Sequence, residues 1–401
     1  MSSLWKIGSN LNKFTKLNIN SFNNCKNFIK SIRKNTTVTL NANTNNIAAN
    51  SRKIGIWLAG CSGMVAGAVV LGGVTRLTES GLSMVDWQLI KDMVPPKNEQ
   101  EWIEEFERYK QYPEWKYLNK DRQMTLEEFK FIFYMEWSHR LWGRMIGLAF
   151  FLPAAYFWKK GYFNSGMKKR MGVFGALLGF QGFLGWYMVK SGLNEPEKKT
   201  DIPRVSQYRL AAHLGSAFLL YVGFLWTSLS HLLPNPQNIT PLNATQLRSV
   251  TMRSHNLLAL IFTTALAGAF VAGLDAGLVY NSFPKFADKW IPCDLWTIEP
   301  KWKNFFENPT MVQFQHRILG LSTLSAICLY AFSMRGVPLP PRARLALNTL
   351  VGMAFAQVGL GIATLIYYVP THLAALHQSG SLALLSFGIW LANELKRIPK
   401  L

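Results

Sequence analysis

The strongest constraint on the fold of this chain is a series of eight apolar segments, each about as long as the roughly 20 residues that a helix needs to cross a bilayer. They run over 54–75, 129–158, 171–190, 210–233, 255–275, 314–334, 343–368 and 372–393. Of all residues 49% are hydrophobic and only 16% are charged, whereas about 25% charged residues are usual in soluble domains. We therefore predict an all-α polytopic membrane protein with eight transmembrane helices in a lipid bilayer.

The positive charge of the chain is concentrated at its amino terminus. The net charge is +21, many of the basic residues lie between Lys6 and Lys53, and no acidic residue precedes Glu79. An arm rich in Asn, Ser, Thr, Lys and Arg without acids is typical of a mitochondrial transit peptide, and a disordered basic tail would have a similar composition. We predict a presequence or disordered arm over residues 1–50, a mitochondrial inner-membrane location and no nucleic-acid partner.

The loops between the apolar segments alternate in charge. The loops after the second, fourth and sixth segments carry lysine and arginine without acids, and the carboxyl-terminal tail is also basic. The long loops after the first and fifth segments are rich in Asp and Glu. Because Lys and Arg accumulate on the side from which helices are inserted, we expect both termini to lie in the matrix.

The sequence also contains an internal repeat. Four pairs of segments resemble each other: Gly67–Gly73 with Gly268–Gly273, Glu136–Arg140 with Gln313–Arg317, Gly179–Gly185 with Ala356–Gly361, and Arg209–Ser216 with Leu373–Gly380. Since four apolar segments precede the repeat, both halves have the same orientation in the membrane. We predict two pseudo-symmetric four-helix bundles, an amino-terminal half over 51–235 and a carboxyl-terminal half over 236–401.

Four of the seven histidines recur at related positions in the two halves, near the starts of the even-numbered segments. They are His139, His213, His316 and His377. The predicted topology puts all four on the intermembrane-space side, and two facing imidazoles from different helices can be axial ligands of one haem iron. A single histidine of this kind is more often satisfied by packing, but four repeated ones favour ligands. The remaining three lie near helix ends, where packing or water satisfies them: His231, His255 and His372.

One half carries a carboxylate that the other half lacks. Glu136 lies one helical turn before His139, on the same helix face, and its repeat counterpart is the neutral Gln313. A carboxylate is costly in a low-dielectric site, so the difference indicates proton-coupled chemistry in the amino-terminal half and electron transfer in the other. The alternative is that Glu136 lies at the water boundary and pairs with an arginine.

Several arginines are placed where haem propionates would need cations, near the outer ends of the segments. They are Arg76, Arg140, Arg209 and Arg317, with Arg144 one turn deeper. An interfacial arginine can equally extend its charge to lipid headgroups. We predict propionate contacts for this set and favour Arg140 and Arg317 among them.

With these residues in view, the chain resembles the haem A synthase family in its eukaryotic mitochondrial form, over about residues 54–395. The motifs that carry the resemblance are Gly73-Val-Thr-Arg-Leu-Thr-Glu-Ser-Gly-Leu-Ser83, Glu136-x-x-His-Arg-x-x-Gly-Arg144, His213, His316 with Arg317, and His377. Members of that family are eight-helix pseudo-symmetric proteins that oxidise the C8 methyl of haem O to a formyl group. The product, haem A, serves cytochrome c oxidase.

The resemblance implies a role for each site residue. His139 and His213 would hold the haem O substrate, His316 and His377 would ligate the iron of a resident haem b, and Glu136 would be the catalytic carboxylate. It further implies a ferredoxin with its reductase as electron donor, association with haem O synthase and cytochrome oxidase assembly factors, and it allows for a homo-oligomer.

Cysteine chemistry is not expected to contribute. Some bacterial members of the family have a cysteine pair in an outer loop, but here the first long loop has no cysteine and the loop after the fifth segment has only Cys293. The four cysteines form no CxxC or other close pair, so neither a zinc site nor a disulfide framework is indicated.

Two other functions remain compatible with the pattern. A two-haem b-type electron carrier or quinol oxidoreductase would explain the four histidines but would leave the difference between Glu136 and Gln313 unused. A transporter would explain the repeat but not the paired histidines. The haems bound to the protein would discriminate these functions, because a carrier would hold haem B alone and a transporter none.

Overall fold

The computed structural model describes residues 49–87, 93–195, 204–236 and 240–400. The helices of that part are α1 (Ala49–Leu77), α2 (Glu99–Tyr109), α3 (Leu126–Lys159), α4 (Ser165–Gly192), α5 (Gln207–Leu232), α6 (Ala244–Gly273), α7 (Asn304–Glu307), α8 (Pro309–Ser333), α9 (Pro341–Ile366) and α10 (Thr371–Leu395). The described residues contain no β-strand beyond two isolated bridges. The predicted all-α class is confirmed. The predicted presequence, 1–50, lies outside the described residues except for its last two.

Eight of these helices coincide with the eight predicted apolar segments, with ends that differ by at most six residues except at the start of α6, which begins eleven residues earlier. Polar caps account for the extra turns. Thr125 accepts a hydrogen bond from the backbone of Glu128, and the Glu128 side chain accepts one from the backbone of Thr125. This capping box starts α3 before its apolar part, so that Glu136 and His139 lie inside the helix, as predicted. Proline occupies the first turn of α8 and α9, where its missing N–H costs nothing.

Six of the eight long helices in the described part are long and apolar enough to cross a membrane: α1, α3, α4, α5, α6 and α9. The other two, α8 and α10, carry the second pair of histidines and several neighbouring polar residues, which lower their average hydropathy. Much of α10 from Gly380 to Leu395 is buried inside the protein, so its composition reflects contacts with other helices more than contact with lipid.

Residues 55–401 form one compact unit, while 49–54 belong to an amino-terminal unit of which only these first residues of α1 are described. Within the larger unit the eight long helices form two bundles, each a ring of four helices. In one ring α3 packs on α4 and α4 on α5, while Trp57 of α1 donates to Ala149 and Ser228 of α5 donates to Gly55. In the other ring α6 packs on α8, α8 on α9, α9 on α10 and α10 on α6.

The two rings are joined mainly through α5, α6 and α10. Near the histidines the joint is polar. Gln378 of α10 donates to the Val69 carbonyl of α1 (2.7 Å), and its amide fills the space beside Gly73, where a Cβ atom would collide with it. At the same end of the helices, Arg76 forms an ion pair with Asp275 (2.7 Å), which follows α6.

A short amphipathic helix, α2, covers the amino-terminal end of α3. Trp102, Phe106 and Tyr109 lie on one face of α2 and pack against Phe129 and Phe133 of α3 in a buried aromatic cluster. The apolar-segment analysis did not predict this helix. Its signal is an aromatic stripe at i, i+4 and i+7 between charged residues.

Candidate functional site

Each of the four repeated histidines packs against a glycine near the end of the preceding long helix. The pairs are His139 with Gly72, His213 with Gly185, His316 with Gly268 and His377 with Gly361. A Cβ atom at Gly72 would lie 2.9 Å from His139 Nε2, and one at Gly361 would lie 2.8 Å from His377 Cε1. Both distances are too short for real contacts, so glycine is needed at these two places for the imidazoles to stand where they do.

These contacts correct the register of the internal repeat. The sequence comparison aligned Gly67 with Gly268, but the structure gives Gly72 the place of Gly268. Both pack on the histidine of the next long helix, and both lie the same number of residues before their helix ends. For the other pair the sequence register is right, because Gly185 and Gly361 were aligned with each other.

The carboxyl-terminal pair has a ring separation that suits two ligands of one metal. His316 and His377 are half-buried, and their ring centres lie 6.2 Å apart with the planes at 85°. A metal–imidazole bond is about 2.0–2.1 Å and a ring nitrogen lies roughly 1.1 Å from the ring centre, so two axial imidazoles on one metal place their centres about 6.3 Å apart. The Nδ1 atoms of both rings are buried without a hydrogen-bond partner. The residues present therefore fit a haem iron held between the two rings.

The amino-terminal pair lies on the corresponding helices of the first ring, α3 and α5. His139 and His213 are both half-buried and interact electrostatically with each other. Among the described residues no group of three or more His, Cys, Asp and Glu side chains forms a metal cluster.

Glu136 is buried and fully hydrogen-bonded, with an exposure of 3%. One carboxylate oxygen accepts from the Ser83 hydroxyl and the Met84 backbone N–H, both at 2.8 Å. The other accepts from the Arg140 guanidinium at 2.6 Å. Arg140 also donates to the carbonyls of Met84 and Asp86. The carboxylate and the guanidinium together hold the segment that follows α1 against α3.

The second half has an equivalent arrangement, in which an arginine again donates hydrogen bonds but the glutamine donates to carbonyl groups where Glu136 accepts. Arg317 donates to Gln313 and to the carbonyls of Tyr280 and Ser282, after α6. The Gln313 amide donates to the carbonyls of Ala276 and Tyr280, whereas Glu136 only accepts. Pairing with an arginine was the alternative explanation for Glu136, and the structure shows that pair in a buried position instead of at the water boundary.

The arginines predicted to contact propionates have protein partners in the structure. Arg76 is paired with Asp275, and Arg204, which sequence reasoning missed, also reaches Asp275 at 3.2 Å. Arg209 lies over the ring of Tyr187 at 4.8 Å. Arg144 is half-buried one turn deeper than Arg140. Propionate binding by these arginines stays a prediction.

Two glutamines complete the surroundings of the histidines on α5 and α10. Gln181 is hydrogen-bonded to Ser216, three residues after His213, and Gln357 donates to the His377 carbonyl at 2.6 Å. Each glutamine precedes its histidine-packing glycine by one helical turn. The repeat of Gln181 and Gly185 as Gln357 and Gly361 is present in the sequence. That these residues pack against the helix turns that carry His213 and His377 could not be predicted from it.

His255 and three of the four cysteines lie within the described residues. His255 is exposed, and its Nδ1 atom lies 2.8 Å from the Thr251 carbonyl of its own helix. Cys61 is buried, Cys293 exposed and Cys328 half-buried, and none of the three forms a disulfide. Cys25 lies outside the described residues.

Replacing Gly361 by alanine is expected to displace His377 and to weaken haem binding by the carboxyl-terminal pair. Overpacking of this kind costs about 1–3 kcal/mol, or about a 5- to 150-fold loss in affinity. The measurement is the haem retained per protein after purification. The matched control is Gly185→Ala, where the added Cβ would lie 3.5 Å from His213, an ordinary contact. Equal haem loss in both variants would contradict the prediction.

Comparison with known proteins gives consistent matches along nearly the whole chain. The family model described as cytochrome oxidase assembly protein (COX15-CtaA) matches residues 55–389. The heme A synthase COX15 of Bos taurus is 61% identical over 352 residues, which cover 88% of this chain and 84% of that protein. The protein of the same name from Homo sapiens is 62% identical over 352 residues, covering 88% and 85%.

A third relative has an additional domain. The heme A synthase-mitochondrial ferredoxin fusion protein of Schizosaccharomyces pombe is 41% identical over 374 residues, which cover 86% of this chain and 60% of the fusion protein. The match therefore leaves a substantial part of that protein outside the aligned region.

Proposed function

This chain belongs to the COX15-CtaA family of cytochrome oxidase assembly proteins. On that premise we propose which of its two histidine pairs binds the haem O substrate and which binds the haem cofactor. The activity is that of an oxidoreductase, the conversion of haem O to haem A by oxidation of the C8 methyl to a formyl group. A two-haem electron carrier without chemistry on the haem is not favoured by identities of 61% and 62% to haem A synthases.

The carboxyl-terminal pair is the site of the resident cofactor. His316 and His377 ligate the iron of haem b, and the observation that supports this assignment is the 6.2 Å separation of their ring centres. When bound, haem b supplies one-electron transfer. The side chains of this chain fix the two rings, His316 against Gly268 and His377 against Gly361.

The amino-terminal pair is the substrate site. His139 and His213 bind the iron of haem O and hold its macrocycle between α3 and α5. Glu136, one turn from His139, is the catalytic carboxylate and exchanges protons or stabilises positive charge at the reacting carbon. The neutral Gln313 at the related place in the other half donates hydrogen bonds and carries no proton to exchange, which supports assigning the chemistry to one half only.

The placement in the membrane follows from the same scheme. All eight long helices cross the mitochondrial inner membrane, and both termini face the matrix, with 51–235 as the substrate half and 236–401 as the cofactor half. The polar residues that lower the hydropathy of α8 and α10 are accounted for by the cofactor site. A ferredoxin is the electron donor, as the fusion protein of Schizosaccharomyces pombe supports. Haem O synthase and other oxidase assembly factors are the expected partners.

The test is purification of the full chain in lipid and extraction of its haems before and after turnover. We expect haem B together with haem O, and conversion of haem O to haem A when reduced ferredoxin, its reductase and oxygen are supplied. Haem B alone, with added haem O neither bound nor converted, would refute the division into a cofactor half and a substrate half.

A further inference from the structure

Outside the membrane-spanning helices, the loop between α2 and α3 contains a buried carboxyl group that the proposed mechanism does not use. Glu114 is 5% exposed, and the hydroxyl of the fully buried Tyr109 donates to it at 2.9 Å. The Asn119 amide in turn donates to the Tyr109 oxygen at 2.7 Å. Within the loop the carboxylate has no cationic partner at salt-bridge distance among the described residues.

The same carboxyl group lines a cavity at the outer end of the first helix ring. The cavity has a volume of about 400 Å³, and its wall includes Glu79, Glu114, Asn119 and Ile132. A cavity of this size has room for several water molecules, and the polar groups of Glu79, Glu114 and Asn119 in its wall can bind them. Arg122, Glu127 and Glu128 also line the cavity and are exposed, with the Glu127 side chain at 80%, so the cavity connects with bulk water.

The inner wall of the cavity lies next to the catalytic carboxylate. The Ser83 hydroxyl contacts both the Ile132 carbonyl (3.2 Å) and Glu136 (2.8 Å). Met84, whose N–H donates to Glu136, belongs to the same buried cluster as Tyr109. The Ser83 hydroxyl therefore joins Glu136 to the cavity wall at Ile132, and Glu114 lines the same cavity.

We propose that Glu114 is the residue through which the amino-terminal site takes up protons from the water-filled cavity. This inference rests on the proposed function of that site. Glu114 holds a proton, passes it inward towards Glu136 and Ser83, and regains one from the cavity. In the second half the counterpart of Glu136 is Gln313, which needs no proton supply.

The reaction requires such a supply when dioxygen is the oxidant and a ferredoxin the reductant. Each hydroxylation follows R–CH3 + O2 + 2 e⁻ + 2 H⁺ → R–CH2OH + H2O, so every electron delivered must be accompanied by a proton. A second hydroxylation gives the geminal diol, which loses water to leave R–CHO. If no residue supplied these protons to the buried site, the reaction would stop after the first electrons were delivered.

The electrostatic surroundings keep Glu114 protonated at neutral pH. Burial raises the pKa of its carboxyl group to about 8, and the charges of Glu136 and Glu79 add to the rise. The hydrogen bond from Tyr109 and the positive charge of Arg76 act in the opposite direction. Because the protonated form is the donor, the rate of haem A formation should be constant below this pKa and should fall as the pH rises through it.

The experiment compares the pH profile of haem A formation in the full-length protein with that of Glu114→Gln. We expect Glu114→Gln to lower the rate at neutral pH by about 10²-fold and to remove the fall at alkaline pH. Glu114→Asp should restore part of the rate with a shifted profile. Tyr109→Phe, which removes a hydrogen bond that lowers the pKa, should move the fall to higher pH. Glu107→Gln, at an exposed position of α2 outside the cavity lining, should leave rate and profile unchanged.

A second measurement separates this inference from the proposed function. Infrared difference spectra between acid and alkaline pH should show a protonated carboxyl band that titrates near the pKa of Glu114 and is absent in Glu114→Gln, with no haem O turnover needed. A wild-type alkaline fall that persists in Glu114→Gln at a wild-type rate, or the absence of the infrared band, would overturn the proposal. Equal haem B content in both proteins establishes that the variant is folded.

Discussion

Replacing His377 by alanine is expected to yield a protein that folds but retains less than about one-tenth of the wild-type haem B. Loss of a residue that merely orients a metal ligand already costs about 10- to 100-fold in affinity, and His377 is proposed as a ligand itself. Without the resident haem, electrons no longer reach the substrate site, so haem O should accumulate. The measurement is haem B per protein in purified samples, together with haem O and haem A in the membranes.

The matched variant is His213→Ala in the other half. It should keep haem B at the wild-type level, lose haem O and form no haem A. The two variants therefore separate the sites by their haem content as well as by activity. If His213→Ala lost haem B and His377→Ala kept it, the cofactor and substrate sites would be exchanged. If both variants kept both haems, neither residue would be a ligand.

The helices of this protein could be predicted from local sequence because their cause is local. An apolar run long enough for a bilayer and a capping box such as Thr125 with Glu128 act within a few residues. The sequence singles out the four histidines as candidate ligands because the repeat shows the same imidazoles twice, and their role stays a prediction. The short helix α2 was not predicted because its aromatic residues lie within a loop dominated by charged residues.

Contacts between distant segments could not be predicted in the same way. The register of Gly72 against His139 depends on how α1 and α3 pack, and a chain with glycines at both 67 and 72 supports either alignment. The partners of Glu136, namely Ser83 and Met84, come from a loop some fifty residues earlier, and no sequence periodicity links them. The pairing of Gln378 with Val69 joins the two ends of the chain, beyond the reach of any local pattern.

Glu136→Gln is expected to leave haem B and haem O bound while haem A formation falls by about 10²- to 10⁴-fold, the usual contribution of a general acid or base. The structure makes a second explanation testable, because Glu136 also braces the loop after α1 through Ser83, Met84 and Arg140. A glutamine keeps the size of the side chain but loses its charge and turns one acceptor into a donor.

Ser83→Ala is the control that separates a catalytic role of Glu136 from a role in holding the loop after α1 in place. It removes one hydrogen bond from the Glu136 carboxylate, worth about 1.5–3 kcal/mol for a charged partner, and keeps the carboxylate in place. If Glu136 acts in the reaction, Ser83→Ala should retain far more activity than Glu136→Gln even when the two proteins lose the same thermal stability. If haem A formation instead follows the melting temperature equally in both variants, the carboxylate acts as a brace, because its charge then matters only through the position of the loop.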